Sequence, residues 1–124
     1  MKVSIPALAA LSAALLLGTP ALAQGIVDEY CTRIGQNDKS ASDGFRLTDA
    51  GSILRQDRAN YHKFGLRGAG DQGDGTFGST AARARIPSLL DNGNTDRSVL
   101  RRIVDGTPNI CVEIYPRKLF VYMN

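Results

Sequence analysis

Near the end of the chain, Asn109-Ile110-Cys111-Val112-Glu113-Ile114-Tyr115 is followed, after Pro116-Arg117-Lys118, by Leu119-Phe120-Val121-Tyr122-Met123. Both runs are rich in β-branched and aromatic residues, and the link between them is short. They predict a β-hairpin. Two strands alone are marginal in water, so the hairpin needs a layer of other elements to pack against.

Working upstream, that layer reads as helical. Thr95 is placed to cap a helix running to about Val104, with Val99, Leu100, Ile103 and Val104 inward and Gly106 as its stop. Asp91-Asn92-Gly93-Asn94 is turn chemistry, and Ser79 to Leu90 predicts a short helical stretch interrupted at Pro87. A longer helix is expected from Asp49 to about Phe64 with Thr48 as its cap. Its apolar members are Ala50, Ile53, Leu54, Tyr61 and Phe64, with Arg55, Gln56, Arg58 and Lys63 toward water. Gly51 weakens its first turn by about 1 kcal/mol relative to Ala. Gly25 to Ile34 places Ile26, Val27, Tyr30, Cys31 and Ile34 at helical spacing, and Gln36 to Gly44 reads as a polar loop. The expected fold is α+β: one small domain over 24–124, about three helices packed on the C-terminal hairpin.

Residues 1–23 read as a cleavable export signal. Lys2 supplies the positive start, Ala7 to Gly18 is apolar apart from Ser12, and Ala21-Leu22-Ala23 gives the small-x-small cleavage pattern. An apolar run of about 12 residues falls short of the roughly 20 needed to cross a bilayer, so no stable membrane anchor is expected after cleavage. Removing 23 of the 124 residues leaves 101, enough for one compact domain. That length excludes Rossmann domains, barrels, P-loop enzymes and multi-span membrane proteins. The expected destination is the periplasm or the exterior of a bacterial cell.

Export decides how the two cysteines are read. Cys31 and Cys111 are the only thiols, and in an oxidising compartment such a pair forms a disulfide. The enclosed loop is long, for which chain-entropy arguments assign roughly 4 to 5 kcal/mol. A redox or metal role would call for closer spacing or more ligands, so no metal is expected.

Several residues invite a chemical reading. His62 is the single histidine. As a general base it would need an orienting acid and a reacting group within reach, and Arg58, four residues earlier, would stack beside it. Glu113 shares a strand face with Cys111 and Tyr115. If Cys111 points at the first predicted helix, Glu113 does too, and an ion pair with Arg33 or Arg117 is expected. Between Gly65 and Gly78, six of fourteen residues are glycine, interleaved with Asp71 and Asp74. Gly68-Ala69-Gly70-Asp71-Gln72-Gly73 matches G-x-G-x-x-G by letter, but a helix precedes it where a nucleotide site needs a strand. The segment also lacks the carboxylates of an EF-hand, so a surface recognition loop is the expectation.

The 101 residues carry 14 Lys and Arg against 12 Asp and Glu, and 11 of the 14 cations are Arg. Arginine suits bidentate recognition of carboxylate and phosphate. The modest net charge, and an arginine stretch without aromatics, argue against nucleic acid. The expectation is a non-enzymatic exported binding or inhibitory protein that recognises an anionic partner, an envelope protein or an anionic glycan. Its contact residues would be drawn from Arg67, Asp71, Asp74, Arg83 and Arg85, and no cofactor is expected. The alternative is a small secreted hydrolase or nuclease-like toxin using His62 with a carboxylate and an arginine such as Arg58 or Arg67. A purely structural envelope component is a third possibility.

Overall fold

The computed structural model describes residues 25–124, and the export signal read over 1–23 lies outside the described residues. Three antiparallel strands form one sheet: β1 (Asp28–Arg33), β2 (Asn109–Ile114) and β3 (Leu119–Met123), in the order β1-β2-β3. Between β1 and β2 the chain runs through a 3-10 turn (Gln36–Lys39) and four helical segments. These are α1 (Ala50–His62), α2 (Thr80–Arg83), α3 (Ile86–Asn92) and α4 (Arg97–Asp105). The α+β class and the hairpin are as the sequence predicts.

The first segment is a strand rather than the predicted helix. Ile26, Tyr30 and Ile34 fit a helical period, but Tyr30, Thr32 and Ile34 also alternate, and all three are buried. Thr32 hides this alternation because it is polar at an inward position. The neighbouring β2 settles the matter by offering β1 a partner along its whole length, from Asp28↔Ile114 to Arg33↔Asn109. Cys31 and Cys111 are direct register partners, and the disulfide is present. It therefore joins strand to strand, not helix to strand.

One face of the sheet carries Tyr30, Thr32, Ile110, Val112, Ile114, Leu119 and Val121 into the core. Ile53 and Leu54 of α1, Ile86, Leu89 and Leu90 of α3, and Val99 and Ile103 of α4 close over it. The hydrophobic burial is continuous, which is what makes an otherwise marginal hairpin stable. Gly51, a weak point for isolated helix formation, has a packing reason: a Cβ there would lie 2.9 Å from the Pro87 Cα of α3. Helices α1 and α3 approach more closely than any side chain at position 51 permits.

The predicted element ends shift where side chains find better partners. Asp49, not Thr48, caps α1 by accepting from Ser52 N at 2.9 Å, and the helix ends at His62. The helical stretch is interrupted as expected, at Ala84 and Arg85 rather than at Pro87 itself, which sits in the first turn of α3, where its missing N–H costs nothing. Asp96 holds the cap position of α4, while Thr95 Oγ1 instead accepts from Val121 N of β3 at 3.0 Å. Gly106 ends α4 as expected. The predicted polar loop contains the 3-10 turn, and from it Lys39 is buried against the end of α4. Its ammonium donates to Ile103 O at 2.9 Å and Val104 O at 2.7 Å, satisfying two carbonyls of the last turn.

The disulfide links residues 80 apart, so its loss frees most of the unfolded chain. Replacing both cysteines by serine should lower unfolding free energy by up to about 4 kcal/mol while leaving the β-sheet signature intact. Urea titration followed by circular dichroism measures both.

Candidate functional site

Arg58 is the centre of the most unusual region. Expected on the solvent face of its helix, it is fully buried instead. Its guanidinium lies 3.9 Å from the centroid of the Tyr30 ring and 4.8 Å from that of Tyr61. Nε donates to Asp57 Oδ2 at 2.8 Å, and Nη1 donates to Asp74 Oδ1 at 2.8 Å and to Gln72 O at 3.0 Å. An arginine is almost never fully buried unless paired, and this one is paired with two carboxylates and two ring faces.

Asp74 joins that arginine to the glycine-rich segment. Its Oδ1 accepts from Arg58 and from His62 Nε2 at 2.7 Å, and its Oδ2 accepts from Thr76 N at 3.0 Å and Phe77 N at 2.6 Å. These donors hold its carboxyl below the usual carboxylate range despite the opposing effect of burial. Since Asp74 is ionised, His62 must carry its proton on Nε2, leaving Nδ1 as the second ring nitrogen. The orienting acid that a histidine base requires is therefore present, and it is Asp74, twelve residues away, not the nearby Asp57.

The segment 65–78 is a loop, as predicted, but one fastened to the sheet. Gln72 N donates to Cys31 O at 2.8 Å, and Cys31 N donates to the Gln72 side chain at 2.8 Å. Asp71 Oδ1 accepts from Arg33 N at 3.0 Å and its Oδ2 from Gly68 N at 2.7 Å. The loop thereby covers the free edge of β1, which would otherwise expose unpaired backbone groups. Phe77 is buried beneath it. Gly73 allows this fit, because a Cβ there would meet the Tyr61 hydroxyl at 2.8 Å.

Thr32 Oγ1 lies 3.1 Å from Asp57 Oδ1 and 3.1 Å from Asp71 Oδ1. A hydroxyl has one proton to give, so it cannot serve two carboxylates at once. Burial pushes the carboxyl of Asp57 up to about 7 against the pull of Arg58. Below that pH a protonated Asp57 can donate to Thr32, which then donates to Asp71; above it Asp57 is the carboxylate of the Arg58 ion pair.

Beside this buried cluster lies a cleft of about 500 Å³ lined by Arg33, Gly35, Asp38, Asn60, Arg67 and Gly68, among others. Arg67 is held in place: its Nε donates to Tyr61 O at 3.1 Å and its guanidinium lies 4.2 Å from the Tyr61 ring centroid. Asp38 at the cleft wall accepts from Gly35 N and from the Asn60 side chain, both at 2.8 Å. The ion pairs among the described residues are Arg58–Asp57, Arg58–Asp74 and His62–Asp74, so Arg33 and Arg67 are in none of them.

The structure thus gathers Arg58, His62 and Asp74 into one cluster and puts Arg67 and Asp71 in the adjacent cleft. It separates the others. Arg83 is buried, donating to Phe77 O at 3.1 Å and to Thr80 Oγ1 at 3.3 Å, and Arg85 is exposed at the start of α3. Glu113 lies on the sheet face away from the helices. Its partner is the Tyr115 hydroxyl at 2.8 Å, not the arginine expected from sequence. The sequence assigns no site role to Asp57, Asn60 or Thr32. Their only signal was polarity at positions a helical or strand period turns inward.

Raised above its unfolded value, the carboxyl of Asp57 binds its proton more tightly in the folded state. Its contribution to stability is therefore full below the unfolded pKa and is lost as pH rises through the folded one. Unfolding free energy should fall from about pH 4 to about pH 7. The variant Asp57→Asn should show a flatter profile over that range, as measured by urea unfolding at each pH. Comparison with protein-family models, with curated proteins and with solved structures finds no match, so function is argued from these residues alone.

Proposed function

We propose that this chain is a small exported binding protein that holds an anionic group of an envelope partner in the cleft between the end of β1 and the end of α1. The observation that carries this reading is the state of Arg67. Its guanidinium is oriented in advance by a backbone carbonyl and an aromatic ring, without being consumed by an ion pair among the described residues. Pre-setting a long side chain removes part of the entropy cost of binding. Arg33 adds a second guanidinium to the same cleft. The nearby carboxylates of Asp38 and Asp71 already accept from backbone and side-chain donors, which lowers their power to repel an anion. A planar guanidinium pair suits a carboxylate or phosphate. The disulfide is compatible with an oxidising compartment.

The hydrolase alternative has the His62–Asp74 pair in its favour. His62 does not line the cleft, however, and the residues that do, Asn60 and Arg67 among them, offer no nucleophile with an adjacent base. Recognition is the reading with a place for its ligand.

Titration of the protein with inorganic phosphate and with acetate, followed by amide NMR, tests it. Shifts should concentrate at Gly35, Gly68 and Ala69, and Arg67→Ala should weaken binding about tenfold, in keeping with loss of one charge-assisted contact. Shifts confined to other surfaces, or an unchanged affinity in Arg67→Ala, would contradict the reading.

A further inference from the structure

The sheet has a second face, and no helix among the described residues covers it. On β1 it carries Glu29, Cys31 and, at the far end of the strand, Arg33, on β2 Cys111 and Glu113, and on β3 Phe120 and Tyr122. Alternation along each strand turns these side chains away from the core occupied by Tyr30, Val112 and Val121. The register places Glu29 directly opposite Glu113, which in turn is opposite Phe120. Two carboxylates facing each other across a strand pair repel, and sheets ordinarily avoid the arrangement.

No cation relieves that repulsion among the described residues, since neither glutamate takes part in an ion pair there. What each has instead is a tyrosine hydroxyl: Tyr122 donates to Glu29 Oε2 at 2.5 Å, and Tyr115 donates to Glu113 Oε1 at 2.8 Å. These bonds fix the carboxylates and hold the two tyrosine rings in place. The Phe120 and Tyr122 rings stack, with centroids 6.3 Å apart and planes 26° from parallel. The disulfide crosses the same face from β1 to β2, with Cys111 opposite Tyr122, one register row away from the two glutamates.

Fixed carboxylates beside half-buried aromatic rings are the chemistry that recognises a cation, through charge from one and the ring quadrupole from the other. The rest of the molecule makes this face stand out: a chain of net charge +3 presents here two negative charges with no ion-pair partner among the described residues. We infer that the outer face of the sheet docks an arginine-bearing segment of a partner protein, a guanidinium lying over the Phe120–Tyr122 pair and bonding to Glu29 and Glu113. The partner is a polypeptide rather than a sugar because a neutral glycan would leave the opposed carboxylates as they are, whereas a guanidinium removes the repulsion. Arginine is favoured over lysine because its planar fork can stack on a ring and reach a carboxylate together. The two carboxylates of this face stand apart from the cleft at the end of α1. Arg33, which lines that cleft, lies four residues along β1 from Glu29, roughly 13 Å at strand spacing.

The test uses the full exported chain and two synthetic octapeptides, octa-arginine and octa-lysine, titrated by amide NMR and by calorimetry at low salt. Expected are shifts on Glu29, Cys31, Glu113, Phe120 and Tyr122, and affinity for octa-arginine several-fold above that for octa-lysine. The double variant Glu29→Gln with Glu113→Gln should bind octa-arginine at least tenfold more weakly. Both positions are at least partly exposed, and unchanged circular dichroism would confirm that the variant folds. Phe120→Ser, scored the same way, should remove the preference for arginine over lysine. Equal affinity of wild type and the double variant, shifts mapping to another surface, or no arginine preference would each overturn the inference. So would binding of chito-oligosaccharide on this face, or self-association of the free protein through it.

Discussion

The buried guanidinium of Arg58 is the constraint on which the arrangement of this molecule depends. Taking an arginine and two carboxylates out of water costs several kcal/mol per ion before any pairing is counted. The cost is met by ion pairs to Asp57 and Asp74, by the carbonyl of Gln72 and by the faces of Tyr30 and Tyr61. The partners come from three parts of the chain, Tyr30 from β1, Asp57 and Tyr61 from α1, and Gln72 and Asp74 from the glycine-rich loop, so satisfying the charge fixes those three relative to one another. Removing a single partner would strand a buried charge, a change that costs more than most apolar truncations.

From that centre the two candidate surfaces follow. Tyr61, held near Arg58 on one turn of α1, also carries Arg67 through its ring and its carbonyl, and so sets the cation that lines the cleft. Asp71, in the loop that Asp74 fastens, accepts from Arg33 N and joins the wall of the same cleft. On the far side, the cross-strand disulfide and the β1–β2 register bring Glu29 and Glu113 together. One small domain thereby offers fixed guanidinium groups at one end and fixed carboxylates with aromatic rings on its open sheet face.

The hairpin, the α+β class, the long helix and the disulfide were legible in the sequence because each rests on a strong local signal: β-branched runs, helical spacing from Ala50 onward, and a single pair of cysteines behind a stretch that reads as an export signal. Residues 28–33 were not legible, since Thr32 interrupts the apolar alternation and only pairing with β2 decides between strand and helix. Arg58 was read as a solvent-facing cation for the same reason. Charge on one helix position predicts exposure unless its partners are known, and Asp74 lies sixteen residues away in a segment whose glycine content suggests looseness. The candidate contacts divided accordingly: Arg67 and Asp71 reach the cleft, while Arg83 is spent on Phe77 and Thr80 inside the fold. Glycine density marks a place where the chain bends closely around other groups. It does not by itself say that the bend is free to move.

The fastening of that loop is the claim most directly open to measurement, by hydrogen exchange of the backbone amides of Gln72, Thr76 and Phe77 in the native protein. Their bonds to Cys31 O and to the buried Asp74 carboxylate predict protection close to that of the β2 amides, because the loop should open only when the domain does. Exchange at the rate of an unprotected chain, while β2 stays protected, would contradict the account.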